Sequence, residues 1–125
     1  MRLLLDTHVL LWALENPSLL RAETRAAIES PRTPVLVSTA SAWEIGVKVS
    51  VGKLRIPTDL ADQLRQARII LLPVTLEHGL RIAELPLLHR DPFDRLLVAQ
   101  AQLEGLTIVT RDERIARYDV ETLAA

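Results

Sequence analysis

The chain has 125 residues, 49% hydrophobic and 25% charged, with 15 Lys and Arg against 16 Asp and Glu and no cysteine. That is the profile of one globular domain, residues 1–125, long enough to bury a core without staples. It excludes disulfides, thiolate zinc sites, iron–sulfur clusters and cysteine nucleophiles, and it excludes gripping nucleic acid by bulk positive charge.

Leu3-Leu4-Leu5 is a short apolar run and reads as a buried strand. Asp6-Thr7-His8 interrupts it before a secretory leader forms, and no run approaches the ~18 apolar residues of a membrane span, so a cytoplasmic protein is expected. Thr7 is placed to cap a helix that is apolar all round over residues 9–14 and stops at Asn16-Pro17. Ser18 is expected to cap a second helix, with Leu20, Ala27 and Ile28 on its apolar face. A Pro-containing loop over residues 30–34 leads to a second strand, Val35-Leu36-Val37.

Residues 43–51 carry two signals. Trp43, Ile45, Val47, Val49 and Val51 alternate as in a strand. Ser41-x-x-Glu44 has the form of a capping box, Glu44 and Lys48 are spaced i,i+4, and Gly52 stands where a helix would stop, so helix is the expectation. Thr58 is expected to cap a helix with Leu60, Leu64 and Ala67 on one face. Residues 69–74 read as a third strand. Thr75 starts a helix expected to face inward with Leu76, Leu80 and Ala83, and Pro86 stops the chain beyond it. Asp91-Pro92 is an N-cap followed by Pro at the first helical position, and this helix should run to Glu104 and end at Gly105. Residues 106–109 are a fourth strand, Thr110-x-x-Glu113 opens a short helix, and residues 120–123 are a fifth strand. Strands alternating with helices imply an α/β domain with a parallel sheet covered on both faces.

Ligands of such sheets bind outside the carboxyl ends of the strands. Asp6 follows the first strand, Glu44 lies one turn into the helix after the second, Asp91 and Asp94 open the helix before the fourth, and Asp112 follows the fourth. Clustered carboxylates are the donor set favoured by Mg²⁺ and Mn²⁺. Each acid also has a local reading. Glu44 can close the capping box or pair with Lys48, Asp91 can be only an N-cap, and Asp94 and Asp112 can complement helix dipoles. Asp6 fits a purely local role least well. The histidines lack metal-ligand spacing: His78 and His89 read as surface residues, and His8, near Asp6, as solvated or packed. There is no G-x-S-x-G, P-loop or G-x-G-x-x-G, and aromatics at 3% are too few for a base-stacking platform.

Leu3-Leu4-Leu5-Asp6-Thr7-His8, Ser41-Ala42-Trp43-Glu44-Ile45, Asp91-Pro92-Phe93-Asp94-Arg95 and Ile108-Val109-Thr110-Arg111-Asp112 resemble, in order and spacing, the four motifs of the PIN domain, most closely the VapC-like toxin branch of bacterial type II toxin–antitoxin systems. The resemblance spans essentially the whole chain. It implies a three-layer α/β/α sandwich around a short, mostly parallel sheet of four to five strands. It also implies a Mg²⁺- or Mn²⁺-dependent endoribonuclease whose acids are Asp6, Glu44, Asp94 and Asp112. Asp6, Glu44 and Asp94 would be the inner metal ligands, and Asp112 would bind a second ion or orient a metal-bound water. Thr110 would be an orienting residue, and Asp91 a cap touching the site. Arg90, Arg95 and Arg111 adjoin these acids and are candidates for holding flanking RNA phosphates, or for solvated or ion-paired positions. The partners implied are RNA, a small antitoxin and a second copy of the chain, with no membrane.

Two other classes compete. A receiver or haloacid-dehalogenase-type phosphatase also puts an Asp after its first strand, but no Lys follows Lys53 and position 8 of the would-be D-x-D is His. A non-catalytic binding module on the same fold is the other; intact acids at all four positions speak against it.

Overall fold

Leu3–Leu5 forms β1, the centre of a five-stranded sheet in the order β3-β2-β1-β4-β5. Its neighbours are β2 (Val35–Ser38) and β4 (Thr107–Thr110), with β3 (Ile70–Leu72) and β5 (Glu121–Ala124) outside them. Every pairing is parallel, and Leu5 lies between Val37 and Val109. The computed structural model describes residues 1–56 and 59–125, so the expected Thr58 cap lies outside the described residues.

The period of two along each strand divides the core. Leu3, Leu5, Val35, Val37 and Val109 face one layer, with Val9, Leu10 and Leu11 of α1 (Thr7–Glu15). Leu4, Leu36 and Ile108 face the other, with Leu97 and Val98 of α6 (Pro92–Glu104) and Ile115 of α7 (Glu113–Ala116). This is the expected α/β/α arrangement. All three leucines of β1 are fully buried, and truncating one to Ala should cost about 2–5 kcal/mol. Asp6, the next residue, is therefore anchored to the stiffest part of the molecule, and its own N–H still donates to Val109 O.

Several local expectations change. Asp6, not Thr7, caps α1, which frees the Thr7 hydroxyl for another contact. Ser18 lies in a 3₁₀ turn over Pro17–Leu19, and α2 (Ala22–Glu29) begins after Arg21. The third helix, α3 (Thr39–Ser50), is present as expected but is capped by Ser38, so Ser41 and Glu44 are interior residues and form no capping box. The third strand is shorter than residues 69–74. Asp112, rather than Thr110, caps α7. Asp91 and Gly105 bound α6 as expected, Gly105 with φ of 66°.

The largest reversal is in α5 (Leu76–Arg81), which follows α4 (Leu60–Gln66) and β3. Leu76 and Leu80 are 72% and 65% exposed, whereas His78 is 1% exposed. His78 Nδ1 accepts from Thr75 N at 3.0 Å and Nε2 lies 2.9 Å from Glu104 Oε1, so the ring enters the interior with both nitrogens partnered.

Candidate active site

The carboxyl ends of β1, β2 and β4 and the start of α6 bring the acids to one edge of the sheet. Asp6 is 7% exposed. Its Oδ1 accepts from Val9 N at 2.8 Å and its Oδ2 from the Thr110 hydroxyl at 2.5 Å. Burial raises the Asp6 pKa above the ordinary carboxylate value; the Thr110 and Val9 hydrogen bonds oppose the rise, and the Glu44 charge adds to it.

Glu44, 5% exposed, reaches the same region from α3. Its Oε1 accepts from the Thr7 hydroxyl at 2.5 Å and its Oε2 from Lys48 Nζ at 2.7 Å. The expected Glu44–Lys48 pair is thus present, and Thr7 adds the contact that turns the carboxylate toward β1. Ser41 Oγ lies 3.1 Å from the Thr7 hydroxyl.

Asp94 stands in the first turn of α6. Asp91 caps that helix, accepting from Phe93 N at 2.9 Å and Asp94 N at 3.2 Å. Burial pushes the Asp94 pKa up from 3.8 to about 6, with further elevation from the charges of Asp91 and Asp112. His89 Nε2 lies 3.3 Å from Asp94 Oδ2. Asp112 behaves oppositely: the Arg114 guanidinium grips both its oxygens, at 3.1 and 2.8 Å, and holds its carboxyl below the ordinary range. Asp112 N donates to Thr110 Oγ1 at 3.0 Å, so one hydroxyl bridges Asp6 and Asp112. An edge-to-face contact of Trp43 on Phe93, 5.2 Å between centroids, ties the start of α3 to the start of α6.

The four acids therefore form a line of neighbours, with Glu44 beside Asp6, Asp6 joined through Thr110 to Asp112, and Asp112 beside Asp94. Among the described residues no three acids or histidines converge on a finished cation cage; each carboxylate is held by a partner of its own. The donors are nonetheless all oxygen, and Asp6 and Asp94 are both disfavoured in their charged form. Such a set suits a hard divalent cation, whose charge relieves the cost.

Of the three arginines, one is turned into the interior and the other two are exposed. Arg95 is 8% exposed, with Nη1 on Pro86 O at 2.9 Å and on Tyr118 Oη at 3.0 Å. It braces the loop before α6 and has no free face for a phosphate. Arg111 donates to the carbonyls of Leu19 and Ala125 and stacks 4.2 Å above the Trp12 ring. Arg90 is exposed. The histidines are also revised: His89, read as a surface residue, has a side chain only 6% exposed and touches Asp94. Its one sequence signal is a position two residues ahead of a helix cap.

The PIN domain family profile matches residues 3–121, and the chain belongs to that family. That sets aside the receiver and phosphatase readings. A stretch of 59 residues is 38% identical to ribonuclease VapC16 of Mycobacterium tuberculosis, covering 46% of this chain and 42% of that protein, so less than half of the relative is matched. The fold is similar to VapBC2 from Rickettsia felis, crystallised bound to a DNA fragment from their promoter, with a TM-score of 0.75 and 17% identity over 99% of this chain and 98% of that one. It is also similar to DNA-bound VapBC from Salmonella typhimurium, with a TM-score of 0.69 and 14% identity over 99% and 98% of the two chains. Among the described residues no helix is long and apolar enough to cross a membrane.

Proposed function

We propose that the chain is a Mg²⁺- or Mn²⁺-dependent endoribonuclease that hydrolyses RNA phosphodiester bonds in the cytoplasm as the toxin of a type II toxin–antitoxin pair. The observation that carries this reading is the line of four carboxylates at the sheet's ligand-binding edge, on a PIN-family chain. Likeness to a ribonuclease VapC and to VapBC structures supports the nuclease and toxin context. Asp6, Glu44 and Asp94 would hold the cation, and Asp112 a second ion or a water. When bound, the ion lowers the pKa of water and neutralises charge developing on the phosphate.

The chain's own residues supply orientation. Thr7 and Thr110 aim Glu44 and Asp6 by hydroxyl donation. Asp91 sets the first turn of α6 and so the height of Asp94. Arg90 and Arg111, both exposed, are the candidates for flanking RNA phosphates. A small antitoxin would be the second partner. A second copy of the chain would cover the exposed apolar side chains of α3 and α5, including Trp43, Val47, Leu76 and Leu80.

The test is RNA cleavage by the purified chain. Cleavage should need Mg²⁺ or Mn²⁺ and stop with EDTA. Asp94→Asn should lose nearly all of it, because an amide is a poor, uncharged ligand. RNA binding without cleavage under any divalent ion would favour the non-catalytic module, and arrest of cells by a folded, nuclease-dead Asp6→Asn chain would break the link between cleavage and toxicity.

A further inference from the structure

A buried line of hydrogen bonds ends on Asp94. Arg95 Nη1 lies 3.0 Å from Tyr118 Oη, Tyr118 Oη lies 2.8 Å from His89 Nδ1, and His89 Nε2 lies 3.3 Å from Asp94 Oδ2. Tyr118 is 4% and Arg95 8% exposed, so water does not compete freely for these bonds. The donor inventory gives the line a direction. A guanidinium only donates, so the phenol oxygen accepts from Arg95 and has its own proton to give. That proton goes to His89 Nδ1, which leaves Nε2 as the N–H that donates to the Asp94 carboxylate. Each donor in the line then meets an acceptor.

Arg95 also donates to the carbonyls of Pro86 and Ile82, which fixes the loop carrying His89. The loop before α6, the first turn of α6 and Tyr118 beyond α7 thus agree on one carboxylate oxygen. Asp112 has no such device, since its oxygens are gripped by exposed Arg114.

We propose that His89 is a positioning residue that holds the Asp94 carboxylate in its cation-binding orientation, with Tyr118 and Arg95 selecting the imidazole nitrogen that carries the hydrogen. The proposal rests on Asp94 being a cation ligand. An imidazole N–H that orients a ligating carboxylate belongs to the outer shell of a metal site, where substitution typically weakens metal affinity 10–100-fold.

The experiment titrates the full chain with Mn²⁺ alone by calorimetry, with far-UV circular dichroism on each variant. Asp94→Asn should weaken binding most. His89→Phe should weaken it about tenfold or more. His89→Gln, whose amide N–H can occupy the place of Nε2, should stay within a few-fold of wild type. Tyr118→Phe, which leaves the ring without its Nδ1 donor, should fall between. Adding His89→Phe to Asp94→Asn should cost nothing further. Cleavage by His89→Phe should recover as Mn²⁺ is raised, whereas cleavage by Asp94→Asn should not.

Wild-type affinity in His89→Phe alongside weakened Asp94→Asn overturns the positioning role and leaves the ligand reading standing. Wild-type affinity in Asp94→Asn removes the ligand reading and the proposal with it. Equal loss in His89→Phe and His89→Gln makes His89 a space-filler and overturns the proposal. If His89→Phe does not fold, Tyr118→Phe decides: several-fold weaker binding supports the line, and unchanged binding overturns it.

Discussion

Asp6 and Glu44 differ from Asp94 and Asp112 in what restrains them. The first two sit at a strand end and on the buried face of α3, are almost fully buried, and each accepts a short hydroxyl bond, from Thr110 and Thr7. The second two sit at helix N-termini, are 16% and 28% exposed at the side chain, and lie in one another's field together with Asp91. Folding orients the first pair through packing. It leaves the second pair to be settled by charge, by His89 and Arg114, and by whatever cation arrives. The outer half should therefore respond most to pH and metal, and the inner half to the loss of a hydroxyl.

The largest expected effect comes from removing charge in the outer half. Asp94→Asn should lower cleavage by on the order of a hundredfold or more. Without metal it should be as stable as wild type or more so, since a strained charge is gone. Divalent ion at a hundredfold excess over its dissociation constant should stabilise wild type by about 2.7 kcal/mol, on the order of 5–15 °C in melting temperature, and Asp94→Asn far less. A matched ionic strength of NaCl serves as the control. Equal metal shifts in the two proteins would move the site away from Asp94.

Next comes the pH dependence of the metal-free protein. Asp94 titrates at about 6 when folded, against an ordinary 3.8. Between those values the folded state holds the extra proton, so stability falls as pH rises through that window, by on the order of 2 kcal/mol. Thermal melts in EDTA at steps from pH 4 to 7 should show the decline, and Asp94→Asn should reduce it to the part left by Asp6, whose pKa burial also raises. A rise across the window would contradict the burial and Asp91 repulsion that set the shift.

Thr110→Val tests the inner half. It strips Asp6 of a hydroxyl donor and Asp112 N of its acceptor, and should cost about 1–3 kcal/mol with a clear loss of cleavage, which Thr110→Ser should largely restore. Parity of Val and Ser would reduce Thr110 to packing. The smallest effect is expected from Asp91→Asn, since Asn caps a helix about as well as Asp. Stability should change by a few tenths of a kcal/mol, with most cleavage kept. Its loss of charge should also lower the Asp94 pKa, which the same EDTA melts would register.

The local rules of the chain made much of this legible. Strand order apart, the parallel α/β pattern, the Asp91 cap, the Gly105 stop and the acids at strand ends are all signals carried within a few residues. What was not legible depends on distant partners. Leu76 and Leu80 read as a core stripe because an i,i+4 apolar pair usually is one, and only Glu104 and Thr75 explain why His78 is buried in their stead. Arg95, adjoining Asp94, reads from sequence either as a phosphate contact or as a solvated or ion-paired residue, yet its partners Pro86, Ile82 and Tyr118 turn it inward. Asp6 and Thr7 are both good caps, and the choice between them rests on Glu44, 37 residues further on, claiming the Thr7 hydroxyl.

The bond from Thr110 to Asp6 closes a loop of 104 residues, and β1 reaches its second neighbour only when β4 exists. Such long-range parallel pairing forms slowly and late. A nascent chain that has not yet made β4 has its first acid unclamped, its central strand half-paired and its fourth acid unmade. The four-acid edge of the sheet is thus incomplete in every partial translation product that stops short of β4.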